Sequence, residues 1–121
     1  MVLLAMIFCH IVDDYYLQGW LASAKQKKYW RELPNYTRKY RFDYIAALLM
    51  HSFSWTFMTM LPIGITIGFN PGAKFYVTFL VNFLVHAVTD NGKANAMKLN
   101  LVQDQTIHIL QILATFLVFH L

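Results

Sequence analysis

Three pairs of residues in this chain repeat one spacing: His10 with Asp14, His86 with Asp90, and Asp104 with His108. Residues four apart on a helix lie one above the other, so each pair would present an imidazole and a carboxylate to the same neighbour. The order reverses in the third pair, so that on two antiparallel helices the acid lies nearer the link on both. His51 stands alone in an otherwise apolar stretch. Neutral imidazole with carboxylate is the ligand set of Zn²⁺ or another first-row divalent ion. His10, Asp14, His51, His86, Asp90, Asp104 and His108 together supply enough donors for one or two ions, with Zn²⁺ the first expectation. Asp13 would remain as a free carboxylate able to act as general base, and Lys93, on the stripe of His86 and Asp90, would hold an anionic group. Gln18, Asn82, Gln105 and Gln111 are candidates to orient the ligands from behind.

The plainer alternative is a set of His–Asp hydrogen bonds that glue helices together. Ser52 and Ser54 beside His51 could suggest a nucleophile, but serine in an apolar helix usually bonds its own backbone. There is no Gly-rich phosphate loop, no His-Glu-x-x-His and no second cysteine to pair with Cys9, which therefore reads as a packing or lipid-facing residue. The lone glutamate, Glu32, excludes a Glu-x-x-His di-iron bundle.

These residues need helices to position them, and the composition says in what solvent. Of 121 residues, 58% are hydrophobic and 13% charged, more apolar than a soluble domain of this size can hide. The stretch from Tyr44 to Ala73 carries no charged residue, which exceeds the roughly 20 residues that cross a hydrocarbon core. The chain is expected to be all-α: one transmembrane domain over residues 1–121, built as an integral membrane four-helix bundle with short connections and one basic loop. Helix 1 would run from Met1 to between Gly19 and Ala24. Helix 2 would run from Asp43 to Leu61, where Pro62, Gly64 and Gly68 end or kink it. Asn70-Pro71-Gly72 makes a turn, helix 3 covers Lys74 to Met97, and helix 4 covers Leu99 to Leu121. At about 1.5 Å per residue, His51, His86, Asp90, Asp104 and His108 fall roughly 6–15 Å from one end of their helices. His10 joins them only if helix 1 ends near Gly19.

Net charge is +4, and Lys25, Lys27, Lys28, Arg31, Arg38, Lys39 and Arg41 crowd one segment opposed only by Glu32. The positive-inside rule places this loop, residues 25–42, in the cytoplasm, with Pro34-Asn35 dividing it into two arms. The aromatics among these charges suit the headgroup level of a membrane rather than a nucleic acid, so membrane lipid is the expected partner. Lys93 and Lys98 then lie inside as well, and Lys74 is the one contrary charge. Ala22-Ser23-Ala24 has the form of a signal-peptidase site, but no basic residue precedes the apolar run and two aspartates interrupt it.

The elements His10-Ile-Val-Asp-Asp14 with Gln18, His51-Ser-Phe-Ser-Trp55, His86 to Asp90 with Lys93-Ala-Asn95, and Asp104-Gln-Thr-Ile-His108 resemble a family of small phage and bacterial membrane proteins, domain of unknown function 3307. The resemblance covers nearly the whole chain and implies a bacterial inner-membrane location, but supplies no reaction. More loosely, the arrangement is similar to all-helical membrane-bound metal-dependent hydrolases. The first functional expectation is therefore a membrane-embedded, metal-dependent hydrolase at the cytoplasmic leaflet, acting on an anionic lipid such as a phosphate ester. The alternative is a non-enzymatic phage or prophage membrane protein that binds a host membrane partner, with the His/Asp cluster structural. Ion or proton transport comes third, since four short helices leave little room for alternating access.

Overall fold

The computed structural model describes all residues from Met1 to Leu121 and is entirely helical. Six helices follow in order: α1 (Val2–Val12), α2 (Leu21–Ala24), α3 (Lys27–Arg31), α4 (Asp43–Thr66), α5 (Ala73–Ala94) and α6 (Leu101–His120). A π-helical turn, Asp13–Leu17, extends α1, and a 3₁₀ turn, Arg38–Tyr40, precedes α4. The four longer helices close a ring in which α1 packs on α4 and α6, and α5 packs on the same two. Arg38–Thr66 and Leu101–His120 are long and apolar enough to cross a bilayer. The other two of the four expected spans differ: α1 has only 11 residues before its π turn, and α5 carries Asn82, His86, Asp90 and Lys93 along its 22.

The expected helix ends need correction at three places. Helix α4 does not stop at Leu61 but continues through Pro62 to Thr66. Its end is set instead by Gly68, whose φ of +63° lets Phe69 N–H bond Gly64 O at 2.9 Å and Gly68 N–H bond Ile65 O at 3.0 Å. Helix α5 ends at Ala94 rather than Met97, with Asn91 O taking the N–H groups of both Asn95 and Ala96. Helix α6 starts at Leu101 because Asn100 and Gln103 form a capping box, Asn100 Oδ1 accepting from Gln103 N at 2.8 Å.

The first helix ends early. Gly19, at φ +53°, breaks the chain out of the helix in a conformation open to glycine, and the segment beyond it folds back. Asn95 fixes that segment: its Nδ2 donates to Lys25 O at 3.0 Å, and its Oδ1 accepts from Lys27 N at 2.7 Å. Trp30 Nε1 donates to Ala24 O at 2.7 Å. The basic segment is thus a pair of short helical arms around Pro34-Asn35 that caps one end of the ring.

Burial is inverted relative to a water-soluble domain. Fourteen buried residues are polar or charged against nine apolar ones, while Leu4, Phe8, Phe57, Leu80, Val88, Leu110 and Leu117 face outward. The small apolar core of Met6, Trp55, Ile63 and Ile112 occupies the end of the ring away from the basic segment. The buried histidines and aspartates gather toward the other end, while Thr59, Asn82 and Thr115 lie along the apolar core.

Candidate metal centre

The π turn decides the first feature of the site. Adjacent residues on a regular α-helix diverge by about 100°, yet Asp13 and Asp14 both turn inward, with side chains 1% and 9% exposed. A widened turn with one extra residue brings this about, a device frequent at functional sites. Asp13 Oδ1 accepts from the Ser54 hydroxyl, and its Oδ2 lies 3.8 Å from His51 Nδ1. Asp14 lies on the other side of the same imidazole, Oδ1 at 3.5 Å from His51 Nε2.

His51 Nε2 is the geometric centre of the cluster. Around it stand His86 Nε2 at 3.2 Å, Asp14 Oδ1 at 3.5 Å and Asp90 Oδ2 at 3.5 Å. Ligand atoms about 2.0–2.2 Å from a tetrahedral Zn²⁺ lie roughly 3.3–3.6 Å from one another, a spacing near that of each of these three atoms from His51 Nε2. Two groups bring one ligand atom from each member within 4.8 Å of the rest: Asp14, His51 and His86, and His86, Asp90 and His108. These buried His/Asp groups could hold a metal ion. His86 belongs to both, and its ring is fully buried and sandwiched between Trp55, with centroids 4.2 Å apart, and His108 at 4.3 Å.

His10 has a different situation. Trp55 Nε1, which can only donate, bonds His10 Nδ1 at 2.7 Å, so the ring hydrogen sits on Nε2 and is given to Gln105 Oε1 at 2.9 Å. Both nitrogens are engaged, and ligation would require breaking one of these bonds. Gln105 passes the connection on, its Nε2 donating to Asp14 Oδ2 at 3.3 Å and Asp104 Oδ2 at 3.1 Å. Asp104 Oδ1 is 3.3 Å from His108 Nε2, and Lys93 Nζ is 3.2 Å from Asp104 Oδ2. Of the four expected orienting amides, Gln105 joins the ligands directly and Gln18 holds Asp14 through its main-chain oxygen at 2.9 Å. Asn82 and Gln111 instead tie α5 to α6 farther along, through Thr115 Oγ1 and Asn82 O, and touch none of the His/Asp groups.

Sequence reasoning missed Lys25 and Trp55. Lys25 Nζ lies 2.7 Å from Asp90 Oδ2, the two side chains 10% and 4% exposed. The approach is too oblique for a hydrogen bond, which leaves an ion pair. Nothing in the spacing of the chain could have singled out this lysine among seven basic residues, because the fold-back at Gly19 brings it in. Trp55 had a signal: it lies four residues after His51, on the same face of α4.

Four carboxylates, Asp13, Asp14, Asp90 and Asp104, thus share one buried end of the ring with two ammonium groups, Lys25 and Lys93. With neutral imidazoles the sum is −4 + 2, or −2, and the orphaned polar atoms there include His51 Nδ1, His86 Nδ1, both nitrogens of His108 and Asp104 Oδ1. A buried charge imbalance of this size demands either a divalent cation or two added protons. A cavity of about 40 Å³ between Asp14, Asp90, Asp104, Gln105, Lys25 and Lys93 gives room for an ion or a water beside the carboxylates. Asp13 does not line this cavity but stands behind His51. No family model, curated protein or solved structure matches the chain.

Proposed function

We propose that this chain is an integral membrane metalloprotein, a relative of the domain of unknown function 3307 proteins. Its four longer helices form a bundle across the bacterial inner membrane with residues 25–42 in the cytoplasm, and it hydrolyses a phosphate ester of a lipid at the cytoplasmic leaflet. Membrane residence is supported by the inverted burial, since lipid rewards apolar side chains outside and tolerates ionisable ones only when they face each other. The observation that carries the metal reading is the arrangement of His86, Asp14 and Asp90 at 3.2–3.5 Å around His51 Nε2, within a cluster where four carboxylates face two ammonium groups.

In this reading His51, His86, Asp14, Asp90 and His108 would hold a divalent ion, Zn²⁺ first, or two such ions. An ion bound there would lower the pKa of a water to near 7 and polarise a phosphoryl oxygen. Asp13 stands behind the His51 imidazole, its Oδ2 3.8 Å from Nδ1 and not hydrogen-bonded to it. Asp104, which lines the small cavity, takes the proton of the attacking water. The water oxygen bonds phosphorus as the ester P–O bond breaks, and Asp104 returns that proton to the leaving alcohol.

Turnover tests it. Protein purified in detergent without chelator should release phosphate from a phosphatidate in the presence of Zn²⁺ or Mn²⁺ and lose at least roughly 100-fold in rate after EDTA, recovering on metal addition. Metal-loaded protein with no turnover on phosphomonoester or phosphodiester lipids would reject hydrolysis. Orientation is tested separately. In a Cys9→Ser background, Gly72→Cys should react with an impermeant thiol reagent applied from outside the cell, and Tyr36→Cys should not. The opposite pattern would reverse the orientation.

A further inference from the structure

The 40 Å³ cavity opens into a second one of about 280 Å³, the two sharing Gln18, Lys25, Asp90 and Lys93. The larger cleft is bounded by α2 on one side and the last turn of α5 on the other, with Ala22, Gln26, Ala94 and Met97 completing its wall. Both lysines of the cluster point into it, and they are not equivalent to the solvated lysines nearby: the Lys25 side chain is 10% exposed and that of Lys93 35%. Each is paired with a carboxylate bordering the small cavity, Lys25 with Asp90 and Lys93 with Asp104. A cation held at Asp90 would take over the charge on that carboxylate and free the Lys25 ammonium to face the cleft, which Lys93 also lines. The volume exceeds what a phosphate alone needs and leaves space for the first atoms of an esterified alcohol.

We propose that this cleft is an anion site for a phosphate group, with Lys25 and Lys93 as its two ammonium donors, and that it fills after the divalent ion has bound. The proposal rests on the metal reading above and adds the substrate's polar end and the order of binding. Two compact point charges at the mouth of a carboxylate-lined cavity suit a tetrahedral dianion that presents one oxygen inward and two to the lysines. Gln18 adds an amide oxygen with no hydrogen-bond partner, able to accept from a protonated phosphate oxygen or the alcohol. Asn95 holds Lys25 there, its Nδ2 donating to that residue's main-chain oxygen and its Oδ1 accepting from Lys27 N.

The same chemistry is offered by inorganic phosphate and by a phosphatidate headgroup, and the experiment separates them. Protein in detergent, with and without Mn²⁺, is titrated with ³²P-labelled phosphate by equilibrium dialysis; protein in phosphatidylcholine nanodiscs is titrated with phosphatidate. Metal content is measured on every sample. Binding should require Mn²⁺. Lys25→Met and Lys93→Met should each weaken it by tenfold or more while metal content stays within about twofold of the unmodified protein, and Lys98→Met, outside the cleft, should change neither. Lys93→Met serves alone if Lys25→Met does not fold. Binding of phosphatidate but not free phosphate assigns the cleft to a lipid headgroup; binding of both assigns it to the phosphate group itself. Metal-loaded protein that binds neither, or whose binding survives both substitutions, overturns the anion site and leaves the metal reading standing. Metal-free protein that binds phosphate through Lys25 and Lys93 rejects the order of binding but keeps the cleft, and protein that takes up no Mn²⁺ and binds no phosphate rejects both the metal reading and the anion site.

Discussion

On the metal reading, replacing His86 by Gln should lower bound metal from about one ion or more per chain to below roughly a tenth of one. His86 is the residue common to both three-residue groups, so its loss cannot be offset by movement of an ion from one group to the other. Gln keeps a neutral donor and acceptor at the position. If the cluster only glued helices, the change would cost about one hydrogen bond, near 1 kcal/mol, and nothing else. His51→Gln should do the same as His86→Gln, because His51 Nε2 is the atom around which the other three donors gather. His108→Gln touches only the second group and should leave the first able to hold an ion. His10→Gln removes an imidazole whose nitrogens already serve Trp55 and Gln105, and should lower metal content least of the four. Elemental analysis of detergent-purified, chelator-free protein reads all four. Unmodified protein that is folded, active and free of metal would return the cluster to a purely structural role.

The helical class and the gathering of histidines and aspartates at one level were legible in the sequence because both depend on local periodicity. A spacing of four puts His86 with Asp90 and Asp104 with His108 on one face whatever surrounds them. The early end of the first helix was legible too, since His10 could reach that level only if the chain broke near Gly19, and Gly19 does break it. What was not legible depends on departures from regular geometry or on distant contacts. The π turn that brings Asp13 inward with Asp14 has no composition signal. Pro62 suggested an end to α4, but proline in a long apolar helix loses one hydrogen bond without ending the helix when packing on both sides persists, and the positive φ at Gly68 does the ending. Lys25 was read with its neighbours as part of a basic cytoplasmic loop at the headgroup level. Its place against Asp90 follows from the hold of Asn95 on the segment after Gly19, a contact between residues 70 apart in the chain.

Lys25→Met destabilises the metal-free protein by about 3–5 kcal/mol, and most of that loss disappears when Asp90→Asn is added. Lys25 Nζ sits 2.7 Å from Asp90 Oδ2 with both side chains nine-tenths or more buried, so removing the ammonium leaves a carboxylate with no lysine or arginine at ion-pair distance in a medium that solvates it poorly. His51 Nε2 at 3.5 Å from the same oxygen cannot substitute while its imidazole is neutral. Removing both charges leaves neither stranded, and buried ion pairs replaced by neutral groups often cost nothing. The double variant should therefore fall within about 1–2 kcal/mol of the parent. Unfolding in mixed micelles with EDTA present measures the four corners of this cycle. Repeating it with saturating Mn²⁺ asks a further question of the same residue. If Asp90 is a ligand, the ion supplies the positive charge that Lys25 gave, and the gap between Lys25→Met and the parent should shrink by at least half. Stability at saturating metal rises with the logarithm of the ligand concentration over its dissociation constant, so the two should differ mainly through affinity. A cost for Lys25→Met below about 1 kcal/mol would mean that water reaches the pair and screens it as it does at a surface. A full cost that metal leaves unchanged would remove Asp90 from the ligand set and leave Lys25 as its only counter-ion.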